Sequence, residues 1–102
     1  MQSLNLYTIY EIYSPTQPLH GVMFRGRIRK LCIEKNINVL VENAEDKDNV
    51  VRFAVLDPRD AIDITDYVMS ITPDAEISLC LERVPNPILS KLKNNNVSRY
   101  TL

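Results

Sequence analysis

The sequence predicts an α+β domain: an antiparallel sheet with both helices packed on one face. Two observations lead there. Strand-like and helix-like patterns follow one another in the order β-α-β-β-α-β, and that order folds as a split β-α-β sandwich. The chain of 102 residues is 45% hydrophobic and 25% charged, the size and composition of a single globular domain, residues 1–102, with one core.

The first strand spans Leu4 to Tyr13, rich in Tyr and Ile, with Tyr7, Ile9, Glu11 and Tyr13 on one face and Thr8, Tyr10 and Ile12 on the other. Ser14 to Gly21 contains Pro15 and Pro18 and ends in glycine, which makes it a loop. A helix follows from Met23 to Lys35, because Phe24, Ile28, Leu31 and Cys32 recur at helical spacing, and Asn36 stops it. Val39 to Glu42 and Val50 to Leu56 read as a hairpin around the polar turn Glu45 to Asn49. Asp57-Pro58 opens a second helix as N-cap and first helical residue. Ala61, Ile64, Val68 and Ile71 form its buried face, and Pro73 ends it. Glu76 to Glu82 alternates Ile77, Leu79 and Leu81 against polar residues and Cys80, the pattern of a half-buried strand. A short fifth strand at Val97 to Tyr100 remains open. The whole is a ferredoxin-like arrangement, which by itself fixes no function.

Charge and composition exclude several classes. A formal net charge of −1 argues against general nucleic-acid binding, which needs a basic excess. Val50 to Val55 also lacks the glycine-containing aromatic pattern of RNA-recognition sheets. No apolar run approaches the roughly 20 residues of a membrane span, and Met1 to Leu6 has no signal-peptide pattern. The expectation is a cytoplasmic monomer with no membrane or nucleic-acid partner. Cys32 and Cys80 belong to no paired motif and read as reduced packing residues. One histidine, His20, allows no catalytic triad, and Glu45, Asp46 and Asp48 read as a solvated turn rather than metal ligands. No metal or other cofactor is expected. Asn96-Val97-Ser98 matches a glycosylation acceptor by chance.

Two segments suggest chemistry. In Gly21-Val22-Met23-Phe24-Arg25, a glycine allows close backbone approach. The helix start after it offers free N–H groups and the positive end of a dipole. Arg25 adds a charged fork suited to phosphate; the alternative is a solvated helix arginine like Arg27 and Arg29. In Val41-Glu42-Asn43, the Asn43 amide could hold a water by its oxygen; the alternative is a turn-initiating asparagine.

Together these segments resemble the acylphosphatase family. Tyr10-Glu11-Ile12-Tyr13 matches its first strand, Gly21-Val22-Met23-Phe24-Arg25 its Gly-Val-x-Phe-Arg motif, and Val41-Glu42-Asn43 its Val-x-Asn, with Asn43 18 positions after Arg25. Ser90-Lys91-Leu92 and Arg99-Tyr100 loosely resemble the final segment. The resemblance implies a metal-independent hydrolase of carboxyl-phosphate anhydrides. Phosphate would lie against His20, Gly21, Val22, Met23, Phe24 and Arg25, held by the Arg25 guanidinium and loop amides, while Asn43 positions the attacking water. The implied ligand is a small acyl phosphate or inorganic phosphate. The sequence departs from the family in its cradle loop: Ser14 to Gly21 is about three residues longer than the family's Gly-x-Val-Gln-Gly. Ser14 replaces the first glycine, His20 replaces the glutamine, and two prolines donate no N–H. Val39-Leu40 replaces Gly-Trp, Ala44 a hydroxyl residue, and Asp48-Asn49 the glycine of the turn. Those departures favour a second reading, a catalytically weak or inactive relative that binds an anion or a protein.

Overall fold

A computed structural model describes residues 5–21 and 23–92. Val22, the Val97 to Tyr100 strand and Arg99-Tyr100 fall outside them. The described elements are β1 (Leu6–Tyr13), α1 (Phe24–Glu34), β2 (Val39–Asn43), β3 (Val50–Val55), α2 (Asp60–Ile71) and β4 (Glu76–Pro85). The strands form one antiparallel sheet in the order β2-β3-β1-β4, so the fold is the expected α+β sandwich. None of the described helices is long and apolar enough to cross a membrane.

The helical face of the sheet carries the main core. Ile12 from β1, Val41 from β2 and Val51, Phe53 and Val55 from β3 meet Phe24, Ile28 and Cys32 of α1 and Ala61, Ile64 and Val68 of α2. These are the positions that helical and strand spacing pick out. Tyr10 stacks on Phe53, with ring centroids 5.1 Å apart. α1 ends as the asparagine stop requires. Asn36 takes φ 57°, the Asn36 N–H donates to Ile33 O and the Ile37 N–H to Cys32 O, which is a Schellman closure.

The opposite face is covered rather than bare. Ile9, Ala54, Val84 and Leu89 form a second cluster there, because the chain after β4 turns back across the sheet. Arg52, which strand alternation puts on this polar-looking face, is therefore 0% exposed. Its Nε donates to Glu11 Oε2 at 2.9 Å, and its Nη1 donates to Asp46 Oδ1 at 2.6 Å and Leu89 O at 3.0 Å. Nη2 lies 2.8 Å from Glu11 Oε2 but off-line for a hydrogen bond, so Nε carries that contact. Lys47 reaches the other Glu11 oxygen at 3.0 Å. The charge is compensated on all sides, as burial demands.

Two elements differ from expectation. α2 begins at Asp60 rather than at Pro58. Asp57 still accepts a backbone hydrogen, from Arg59 at 3.0 Å, but it caps a preliminary turn closed by Asp60 N–H to Asp57 O and Ala61 N–H to Pro58 O. β4 runs on to Pro85, and its register against β1 shifts twice around Ile9. A bulge reverses the faces of the residues beyond it. Ile77 therefore packs with the helices while Leu81 packs with the opposite cluster, and Leu79 is left 51% exposed.

Candidate functional site

The loop of residues 14–21, the start of α1 and the end of β2 meet at one end of the sheet, where Tyr13 and Asn43 pair with Val50 and Val51. Gly21 (φ 75°) and Met23 (φ 59°) both take left-handed backbone. That geometry suits glycine and strains methionine. Met23 is the N-cap of α1 and supplies no side-chain cap, so the first-turn N–H groups have no intrahelical partner. Phe24, 4% exposed, anchors the helix start in the core and delivers Arg25 to the rim.

The loop is held from outside itself. The Asn49 Oδ1 accepts the Leu19 N–H at 2.6 Å, and its Nδ2 donates to Ser14 O and Gln17 O, both at 2.8 Å. His20 Nε2 lies 2.6 Å from Val50 O. A carbonyl only accepts, so that nitrogen carries the proton. Ser14 Oγ accepts the N–H groups of Thr16 at 3.3 Å and Gln17 at 2.9 Å and donates to Asp74 Oδ1 at 3.1 Å. The Thr16 hydroxyl donates to the other Asp74 oxygen. The amides of Thr16, Gln17 and Leu19 are thus spent inside the protein, and the two prolines have none.

Beside this stretch lies an open cleft of about 330 Å³. Leu19 and Phe24 line it deep, Gly21 and Met23 stand at its mouth, and Arg25 and Arg29 are on its helical wall. The two arginines are one turn apart and both reach β2. Arg29 Nη2 donates to Val41 O at 2.8 Å. Arg25 Nη1 lies 3.9 Å from Glu42 Oε2, with the two side chains 40% and 54% exposed. Asn43, the next residue, shares the inward face of β2 with Val41. Its Oδ1 is buried and has no hydrogen-bond donor among the described residues. A buried acceptor without a donor is uncommon enough to need a reason.

Of the sequence-predicted residues, Gly21, Met23, Phe24 and Arg25 share this cleft, and Asn43 stands next to the residue that Arg25 contacts. His20 is at the same end, but its ring is committed to Val50. Asn49, Arg29 and Glu42 were missed. Arg29 was legible in its i+4 spacing from Arg25, and Asn49 in a turn that needed φ > 0, since it takes 54°. Burial pushes Cys32 up to about 11 and Cys80 up to about 12. The chain matches no protein-family model, no curated protein and no solved structure.

Proposed function

We propose that the domain hydrolyses acyl phosphates at the start of α1, in the manner of an acylphosphatase. Arg25 and the free amides around Gly21 and Met23 hold the phosphoryl oxygens. The Asn43 Oδ1 accepts a hydrogen from a water and aims its lone pair at phosphorus. The new O–P bond forms as the P–O bond to the acyl group breaks. The carboxylate leaves with the bonding electrons, and both hydrogens of the water stay with the phosphate, one on the new hydroxyl and one passed to a phosphoryl oxygen. A carboxylate is a good leaving group, so positioning and charge stabilisation suffice.

The unpartnered, buried Oδ1 of Asn43 carries this reading. It is an acceptor kept at a cost to stability, beside the residue that contacts the anion-binding arginine. The test is hydrolysis of benzoyl phosphate by the purified domain with a chelator present. Arg25→Ala and Asn43→Ala are each expected to lose on the order of 10² or more in rate. A parent no faster than buffer sinks the reading.

A second reading, anion binding without turnover, draws on the loop. Thr16, Gln17 and Leu19 donate within the protein rather than outward, which leaves a thinner cradle for a transition state than a loop of free amides offers. Thermal stabilisation by millimolar phosphate that depends on Arg25, together with no hydrolysis, selects this reading.

A further inference from the structure

Resting on the acyl-phosphate reading, we propose that Glu42 sets the affinity of the anion site: its carboxylate competes with the bound phosphoryl group for Arg25 and lowers the site's affinity for anions.

The two arginines of the cleft wall are held differently. Arg29 donates to the Val41 carbonyl at 2.8 Å, a hydrogen bond to an edge-strand backbone that an anion does not readily displace. Arg25 has a side-chain carboxylate at 3.9 Å, beyond hydrogen-bond range, with both partners near half exposed. By comparison, Arg52 is 0% exposed and bonded at 2.6 to 2.9 Å. A loose, solvated pair contributes little and is screened by salt, so an arriving phosphoryl group can take Arg25 from Glu42.

β2 explains how a carboxylate comes to sit there. Side chains alternate along a strand, so Glu42 and Asn43 point to opposite faces. Glu42 meets Arg25 only because β2 is the edge of the sheet, where the guanidinium can reach past the strand. The same edge gives the carboxylate solvent to move into when an anion arrives. Its negative charge opposes substrate and product alike. Removing it frees Arg25 for substrate, transition state and product alike, a uniform-binding effect that lowers KM.

The experiment titrates inorganic phosphate against the parent, Glu42→Gln, Arg25→Ala and the double variant, and measures KM and kcat for benzoyl phosphate in the first two. Glu42→Gln is expected to bind phosphate about 2- to 5-fold tighter at low salt. KM should fall by about the same factor, and the gain should vanish in the Arg25→Ala background and shrink near 1 M salt. If the parent binds phosphate and Glu42→Gln binds it equally or more weakly, the competition is wrong while the anion site stands. A gain that persists without Arg25 also overturns it. If neither parent nor Glu42→Gln binds millimolar phosphate, the acyl-phosphate reading falls and this role falls with it.

Discussion

Asn49 holds Leu19. Its Oδ1 accepts the Leu19 N–H at 2.6 Å while its Nδ2 spans the carbonyls of Ser14 and Gln17. One side chain from the β2–β3 turn thereby fixes both limbs of the loop that leads into α1. Leu19 is 2% exposed, so its amide has little water to turn to. Asn49→Gly keeps the left-handed backbone of the turn and removes all three bonds. We expect it to cost about 1–3 kcal/mol, read as a Tm lower by several degrees, and to shrink the stabilisation that phosphate gives. Asn49→Asp, which keeps the acceptor and loses the two donors, should fall between. A Tm for Asn49→Gly within a degree of the parent would show that the loop holds its shape unaided.

Arg52 couples two carboxylates to the stability of the fold. Burial pushes the Glu11 carboxyl up, but the hydrogen bonds from Arg52 and Lys47 outweigh it and hold Glu11 below its ordinary value. The Arg52 hydrogen bond holds Asp46 below its own. Both folded values lie under the unfolded ones, so the folded state binds fewer protons. The resulting stability is full above about pH 5 and is lost as pH falls through the folded values. Arg52→Met strands Glu11 against Lys47 alone and should cost about 3 kcal/mol at pH 7. That deficit should narrow toward pH 4, where protonation relieves Glu11 in the variant while the parent loses stability. Urea unfolding at pH 7, 5 and 4 measures both curves; a deficit that stays constant across them rules out the ion pair as its source.

Arg52 also marks how far the sequence could be read. Helical spacing identified Phe24, Ile28 and Cys32 and then Ala61, Ile64 and Val68, all of which are buried, while Leu31 and Ile71 on the same faces are only half-buried, and the element order led to the sheet topology. The burial of Arg52 was not legible, because alternation assigns it to a face without saying what covers that face. The cover is the chain around Leu89, 37 positions away. The bulge that carries Leu81 to the opposite face was hidden for a similar reason: a clean alternation cannot reveal where its phase breaks. At the candidate site, Gly21 and Arg25 were visible as residue types at a helix start. The contacts around them, from Asn49 to the loop that precedes Gly21 and from Glu42 to Arg25, depend on partners 17 to 35 positions apart.

Met23 should be improvable. It is 80% exposed and holds φ 59°, so its side chain contributes little packing while its backbone carries the strain of a left-handed β-carbon. Met23→Gly relieves that strain and is expected to raise stability by about 0.5–1 kcal/mol, net of the greater freedom of the unfolded chain. Met23→Val, β-branched, should lower it. Chemical denaturation of the three proteins decides; a destabilised glycine variant would mean that Met23 packs on the cleft in solution.

Asn43 separates stability from function most sharply. Its Oδ1 is buried without a donor among the described residues, so in the folded protein that oxygen has no protein group to replace bulk water. Replacing it with a side chain of similar size and no polar atoms removes that deficit. Asn43→Leu should therefore be neutral or more stable, by up to about 1 kcal/mol, while hydrolysis of benzoyl phosphate falls on the order of 10²-fold or more. Ordinary core substitutions do the reverse, lowering stability first and activity with it. Thermal unfolding and initial rates on the same preparation test both halves. A variant destabilised by more than about 1 kcal/mol would mean that the Asn43 amide is bonded in the folded protein. Its place as a water-holding acceptor would then be lost, whatever happened to the rate.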